Sequence, residues 1–178
     1  MFSAMILTLA AAAAQPALTV ADARRSLLGR WEGKLEYRDY QADKWFGLPV
    51  KVEVKDGGDS VTLIRTADYD DGPTTGNVRI TTVSMLLADG TRESSASFRK
   101  GRDVELQTST LQLNAARDRD HWTLVETTAA KVDDRPAAIR LTTTRDGASL
   151  VTLKEVDFTD DAKAEWLARN RTTLSAAP

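Results

Sequence analysis

Three charged residues, Arg65, Glu126 and Glu155, interrupt the apolar faces of predicted β-strands. The apolar residues that share their alternation are Val61 and Leu63, Trp122 and Leu124, and Val151 and Leu153. If that alternation points into a core, charge enters an apolar interior, where an unpaired charged group is costly. Such side chains would then pair with one another or contact a polar ligand. The alternative is that a bulge, or a position near a strand end, leaves them in water.

Four aromatic residues are the other candidate ligand contacts: Trp31, Tyr37, Phe98 and Trp122. Trp31 and Tyr37 share one face of a single predicted strand, and the other two belong to later strands. An indole that closes the end of a core buries a large apolar area whether or not a ligand is present. Trp31 is therefore expected to be a core residue first and a ligand contact second.

The sequence offers few residues for a nucleophilic catalytic site or a metal-binding site. It contains no cysteine and a single histidine, His121, beside a charged turn. No Gly-x-Ser-x-Gly elbow is present. Asp68, Asp70 and Asp71 are spaced somewhat like a calcium loop, but the full pattern is absent, so a solvated turn is expected. We expect no metal and no other cofactor. An enzyme would need the three charged residues named above to converge on one cavity, and is the least favoured class.

Composition limits the other function classes. The chain has 178 residues, which suits one domain, and 42% of them are hydrophobic, which is enough for one core. Its 24 basic and 26 acidic residues give a net charge of −2, with no dense basic block. Nucleic-acid binding is therefore not expected.

An apolar run, Met5 to Ala14, stands near the amino terminus and is too short to span a bilayer. Small residues at positions 12–14 suit cleavage by signal peptidase. The alternatives are an alanine-rich amphipathic helix or a wrongly assigned start codon. Residues 1–14 are predicted to be a signal peptide, so the mature protein would be periplasmic or secreted. No second apolar run follows, and no membrane span is expected.

The central part of the chain, residues 29–158, alternates with a period of two. The pattern is clearest where Trp31, Gly33, Leu35 and Tyr37 share one face. Nearly every junction between predicted strands carries hairpin-turn residues, which predicts an antiparallel meander of about eight to ten strands. Closure into a barrel would hide the edges of so long a meander. In this all-β barrel Trp31 would plug the floor, with Gly33 leaving space beside its ring.

The two flanks have helical character. Residues 15–28 are predicted to form a helical segment whose Leu27 and Leu28 fold back on the barrel. Residues 159–178 are predicted to form a short C-terminal helix and tail, because Thr159 is a good N-cap and acidic residues follow it.

The run Gly29-Arg30-Trp31, with Gly33, resembles the Gly-x-Trp signature at the start of the first strand in lipocalins and other calycin barrels. It is similar in particular to bacterial lipocalin-like and nitrobindin-like barrels. The resemblance implies an arginine near the last strands that stacks on the tryptophan, and Arg140 and Arg145 both qualify.

The chain also departs from these families at two points. The dipeptide Asp68-Tyr69 comes too early to be the Thr-Asp-Tyr signature of lipocalins. Nitrobindin-like proteins hold haem through a histidine late in the barrel, and no histidine follows His121 here. Haem is therefore not expected.

Two functions remain from this reasoning. The first is a carrier or sensor that binds a small hydrophobic or amphipathic ligand in the barrel cavity. The second is a protein-interaction module, such as an inhibitor or assembly factor, that uses loops at the barrel rim over a compact core. An exposed patch around Tyr37, Tyr40, Trp45 and Phe46 would favour the second, because such patches mark partner surfaces.

Overall fold

The computed structural model describes residues 17–178, and the predicted signal peptide, residues 1–14, lies outside them. Ten antiparallel strands follow one another as a meander, and the last pairs with the first, so the sheet closes into a barrel. The strands are β1 (Gly29–Asp39), β2 (Lys44–Asp56), β3 (Thr62–Asp70), β4 (Asn77–Leu86), β5 (Arg92–Arg99), β6 (Glu105–Asp118), β7 (His121–Val132), β8 (Arg135–Asp146), β9 (Ser149–Phe158) and β10 (Leu167–Ala176). The prediction of an all-β, closed antiparallel barrel is confirmed.

Two short helices accompany the strands: α1 (Val20–Arg25) and α2 (Gly72–Thr75). The first turn of α1 is held by a capping box, in which Thr19 and Asp22 exchange hydrogen bonds between side chain and backbone. Within residues 17–178, no helix is long and apolar enough to cross a membrane.

The two ends of the barrel are built differently. Helix α1 lies at the same end of the barrel as the β2–β3, β4–β5, β6–β7 and β8–β9 turns. Its Ala23 is fully buried in the core. We call this end the closed end. The β1–β2 hairpin lies at the opposite, open end, where Phe46 is 61% exposed.

Two buried indoles occupy the closed end. Trp31 and Trp122 are each 3% exposed. The Nε1 of Trp31 donates a hydrogen bond of 2.9 Å to the carbonyl of Leu27, and the Nε1 of Trp122 donates one of 3.0 Å to the hydroxyl of Ser26. Both bonds tie the floor of the barrel to the segment that follows α1, which satisfies the polar atom that each buried indole brings with it.

The prediction of a C-terminal helix within residues 159–178 is wrong. Residues 159–166 form turns and irregular chain, and β10 follows. This strand pairs with β1 from Trp31–Ala176 to Tyr37–Asn170 and with β9 on its other side. The helix-capping signals at Thr159 are local, whereas a strand here satisfies the open edges of two neighbouring strands at once. Closure of the sheet therefore prevails over local propensity.

Gly33 has a different role from the one predicted. A Cβ atom at this position would overlap the carbonyl oxygen of Thr173 and lie 3.0 Å from the Cα of Leu174. The glycine therefore allows the backbone of β10 to approach β1 closely, where a space beside the Trp31 ring was expected.

Candidate functional site: the interior cavity

The barrel encloses a cavity of about 410 Å³. Its lining toward the closed end is mostly apolar, with Arg24, Ser84 and Glu93 as polar exceptions, and includes Trp31, Leu63, Leu111, Leu124, Leu150 and Leu174. Toward the middle of the barrel the lining is polar, and includes Thr82, Ser95, Ser97, Gln107, Thr143 and Thr152. A molecule inside would therefore meet apolar and hydroxyl-bearing walls at different depths.

Helix α1 inserts one arginine into the closed end of this cavity. Arg24 is 4% exposed, and its guanidinium lies 2.6 Å from a carboxylate oxygen of Glu93 on β5. The guanidinium also donates hydrogen bonds to the carbonyl of Val61, at 2.9 Å, and to the hydroxyl of Ser84, at 3.0 Å. The buried charge is thus both paired and hydrogen-bonded, which is what its burial requires.

Glu126 is the second carboxyl group of the lining. One carboxylate oxygen accepts hydrogen bonds from the Ser109 hydroxyl, at 2.6 Å, and from the Gln107 amide, at 3.1 Å. Burial raises the pKa of Glu126, and the hydrogen bond from Ser109 opposes that shift. The nearby charge of Glu93 raises the pKa further, and that of Arg24 lowers it.

Arg65 projects from the middle of β3 and lines the same cavity. Its cross-strand neighbours are Val54 on β2 and Thr82 on β4. Within residues 17–178, no carboxylate lies within salt-bridge distance of its guanidinium, and no protein oxygen accepts a hydrogen bond from it. Arg65 therefore brings a positive charge to the cavity that no carboxylate of this described part of the chain neutralises by direct pairing.

The family resemblance implied an arginine stacked on Trp31, with Arg140 and Arg145 as the two candidates. Arg145 lies over the Trp31 ring, with its guanidinium carbon 5.4 Å from the ring centre. Arg140 instead lies 4.1 Å from the centre of the Trp166 ring and 2.8 Å from Glu155.

The structure separates the predicted site residues into two groups. Trp31, Arg65 and Glu126 line the cavity together, and Trp122 is buried in the floor beside it. Three others do not line it.

Of these three, Tyr37 stacks on Phe46 near the open end, with ring centres 5.7 Å apart. Phe98 is 45% exposed and lies by a surface hollow near the β5–β6 connection. Glu155 pairs with Arg140 and has the opposite alternation to the cavity-lining Thr152.

The misplacement of Glu155 has a physical cause. Both faces of β9 carry apolar residues: Leu150 and Val156 are buried on the inner face, and Val151 and Leu153 are half-buried on the other. Alternation therefore cannot distinguish the inner face of this strand from its outer face.

Sequence reasoning missed the polar side chains that surround the interior charges, among them Arg24, Glu93, Gln107 and Ser109. Gln107 and Ser109 share the alternation of the buried Leu111, and this was a usable signal. No comparable signal marks Arg24 or Glu93, because each depends on a partner distant in the chain.

No protein-family model and no curated protein sequence matches the chain. Among solved structures it is similar to Rv2717c from M. tuberculosis, with 13% sequence identity, a TM-score of 0.61, and coverage of 92% of this chain and 100% of that chain. A protein with unknown function from the DUF3598 family, from Nostoc punctiforme, aligns over 90% of this chain and 100% of that chain, at 7% identity and a TM-score of 0.27. The likeness to Rv2717c shows a shared barrel fold only, and the alignment with the DUF3598 protein is too weak to show a shared fold.

Proposed function

We propose that this protein binds a small, partly apolar molecule in its barrel cavity and acts as a carrier or sensor. The observation that carries the proposal is the lining, which is mostly apolar at the closed end and rich in hydroxyl groups above it. Ligand pockets combine an apolar wall with a few polar groups that fix orientation. A volume of about 410 Å³ lies at the small end of the range for such pockets.

We also propose that the protein is a lipocalin-like calycin barrel. Support comes from Trp31 near the start of β1, with Arg145 over its ring, within a closed antiparallel meander. The apolar run at Met5 to Ala14 supports export of the chain, and we propose a periplasmic or secreted location. N-terminal sequencing of the protein recovered from the periplasm or medium tests this, because uncleaved protein confined to the cytoplasm would contradict it.

Native mass spectrometry of the protein purified from its source tests the ligand proposal. We expect a bound species of constant mass that organic solvent releases. The variant Thr143→Trp places a large side chain in the cavity and should lose that species. Thr142→Trp is the matched control, because the adjacent position has the opposite alternation on β8 and does not line the cavity. A consistently empty wild-type protein, or equal retention by both variants, would argue against ligand binding.

A second function, protein interaction through the rim, is favoured by one observation. Aromatic side chains of the β1–β2 hairpin stand exposed at the open end: Tyr37 at 38%, Tyr40 at 53% and Phe46 at 61%. Exposed apolar clusters of this kind mark partner surfaces.

Pull-down from a periplasmic extract separates the two functions. A partner captured by the wild type and lost with Phe46→Ser would support the interaction module. The exposed charged position Lys51 on the outer wall provides the control variant, Lys51→Ser. If the wild type captures no specific protein while the mass measurement finds a ligand, the carrier or sensor remains.

A further inference from the structure

The arginines of the barrel interior differ in whether the protein supplies them with acceptors. Arg24 has the carboxylate of Glu93 at 2.6 Å. Arg145 has the carboxylate of Asp120 at 2.6 Å and also donates to the backbone of the segment after α1. Arg65 has neither within residues 17–178. Arg65 is half-buried and lines the cavity, so its guanidinium faces the cavity space with its donors unused by residues 17–178.

Neither carboxyl group of the cavity is available to Arg65. Glu93 is held by Arg24. Glu126 is held by two hydrogen bonds on one oxygen, and its burial favours the protonated form. Residues 17–178 therefore leave Arg65 without a carboxylate, and its donors are available to a molecule bound in the cavity.

The charge of the interior supports the same conclusion. A smaller hollow of about 140 Å³ shares Glu126 with the main cavity and is also lined by Lys154. Across both linings three cations, Arg24, Arg65 and Lys154, face two carboxyl groups, Glu93 and Glu126. The interior is therefore positive, although the whole chain has a net charge of −2.

We propose that the ligand is a small organic acid with an apolar body, and that Arg65 binds its carboxylate. This inference rests on the proposed function, that the cavity holds a ligand. The planar guanidinium offers two parallel donors that match a carboxylate. A single arginine of this kind suits a monoanionic carboxylate better than a phosphate group, whose three acceptor oxygens and higher charge call for more donors.

The surroundings of Arg65 fit both parts of such a molecule. Thr82 is its neighbour across β3 and β4, and Ser97 is the next neighbour on β5. The hydroxyls of Thr82 and Ser97 lie 2.8 Å apart and line the cavity, so a carboxylate at Arg65 has further donors nearby. Leu63, two positions nearer the closed end on the same strand, begins the apolar lining where the body of the acid would lie.

Isothermal titration of the full chain with three probes tests the inference. Decanoate, 1-decanol and decylamine share one apolar chain and differ in the charge of the head group. We expect wild-type protein to bind decanoate at least about tenfold more tightly than the alcohol. A factor of about ten in affinity is the lower end of what a charge-assisted hydrogen bond contributes. The amine should bind no better than the alcohol.

The variant Arg65→Met keeps the aliphatic stem and removes the charge. It should reduce decanoate affinity to that of the alcohol while leaving alcohol binding within about twofold, which shows that the cavity persists. Arg30→Met, at an exposed position on the outer wall, is the matched control and should change neither affinity.

The outcomes separate the two proposals. Equal wild-type affinities for acid and alcohol, or preference for the amine, would overturn the role of Arg65 and leave ligand binding intact. Retention of the acid preference by Arg65→Met would also overturn it. Absence of binding for all three probes would overturn the acid inference, and an empty protein in the native mass measurement would then overturn the proposed function as well.

Discussion

The guanidinium of Arg145 lies over the Trp31 ring at 5.4 Å from its centre, and this contact joins β8 to β1 across the closed end of the barrel. The same guanidinium lies 2.6 Å from Asp120 and donates to the carbonyls of Ser26 and Gly147. Arg145 thus links the indole of the floor, the segment after α1 and two turns. The Arg145 side chain is only 14% exposed, whereas that of Asp120 is 57% exposed, so the hydrogen bonds to the backbone are better shielded from water than the ion pair is.

We expect Arg145→Met to lower the free energy of unfolding by about 2–3 kcal/mol, because it removes hydrogen bonds from a charged donor and leaves the buried Ser26 without one of its contacts. Arg140→Met is the matched variant and should cost about 1 kcal/mol, since the Arg140 side chain is itself 32% exposed and its hydrogen bond goes to Glu155 and not to backbone carbonyls of the closed end. Urea denaturation followed by tryptophan fluorescence measures both. Equal losses of unfolding free energy in the two variants would mean that the closed-end contacts of Arg145 stabilise the fold no more than those of Arg140 do.

The buried carboxyl group of Glu126 should make stability depend on pH. Its pKa is raised in the folded protein by burial, so the unfolded state releases this proton at a lower pH than the folded state does. The stability that protonated Glu126 contributes is complete below the unfolded pKa and is lost as the pH rises through the folded pKa. We therefore expect Glu126→Gln to become increasingly stable relative to wild type between about pH 4 and pH 7.

Denaturant titrations across that interval measure the difference, and comparison of the change with pH removes any constant effect of the substitution. Ser109→Ala is a second variant with the opposite expectation. The hydrogen bond from Ser109 lowers the pKa of Glu126, so its removal should steepen the fall in stability with rising pH. A pH-independent difference between Glu126→Gln and wild type would show that Glu126 titrates normally.

Gly33 should tolerate no side chain. The Cβ of Gly33→Ala would overlap the carbonyl oxygen of Thr173, so the β1–β10 ladder must shift to make room. We expect a loss of about 3 kcal/mol, in the range for overpacking at a site that cannot relax freely. Glu32→Ala, at the adjacent exposed position, should change stability by about 0.5 kcal/mol or less. Similar thermal denaturation midpoints for the two variants would contradict this account.

Removal of β10 should prevent the barrel from forming. A chain that ends at Trp166 loses the strand between β1 and β9 and leaves both with unpaired edges. We expect aggregation or unfolding, measured by size-exclusion chromatography and far-ultraviolet circular dichroism. A chain that lacks only Pro178 should remain a folded barrel, because β10 ends at Ala176. A stable monomer from the shorter chain would show that closure does not hold the sheet together.

The strands from β1 to β9 follow closely from local patterns. Alternation with a period of two depends only on side chains within a few positions of one another, and hairpin turns depend on their own residues. The last strand does not follow from such patterns. Its preceding residues, Thr159 to Asp161, carry helix-start signals, and only the unpaired edges of β1 and β9 explain why a strand forms from Leu167 onward.

The candidate site divides in the same way. Arg65 and Glu126 lie on the inner wall, as the alternation of their apolar neighbours indicates. Glu155 lies elsewhere, because both faces of β9 carry apolar residues and local alternation is ambiguous there. That these residues bind a ligand stays a prediction.

The order of residues along the chain was sufficient to specify an antiparallel meander, its turns and an indole near the start of the first strand, because each of these is set by near neighbours in the sequence. The tertiary structure alone decided which carboxylate neutralises Arg24, which arginine covers Trp31 and which arginine of the cavity finds no acceptor among residues 17–178. Such pairings join residues far apart in the chain, as between Arg24 and Glu93, and depend on how the sheet closes. Closure sets the strand neighbours and the interior volume together, so the partner of each buried charge is known only when the barrel is complete.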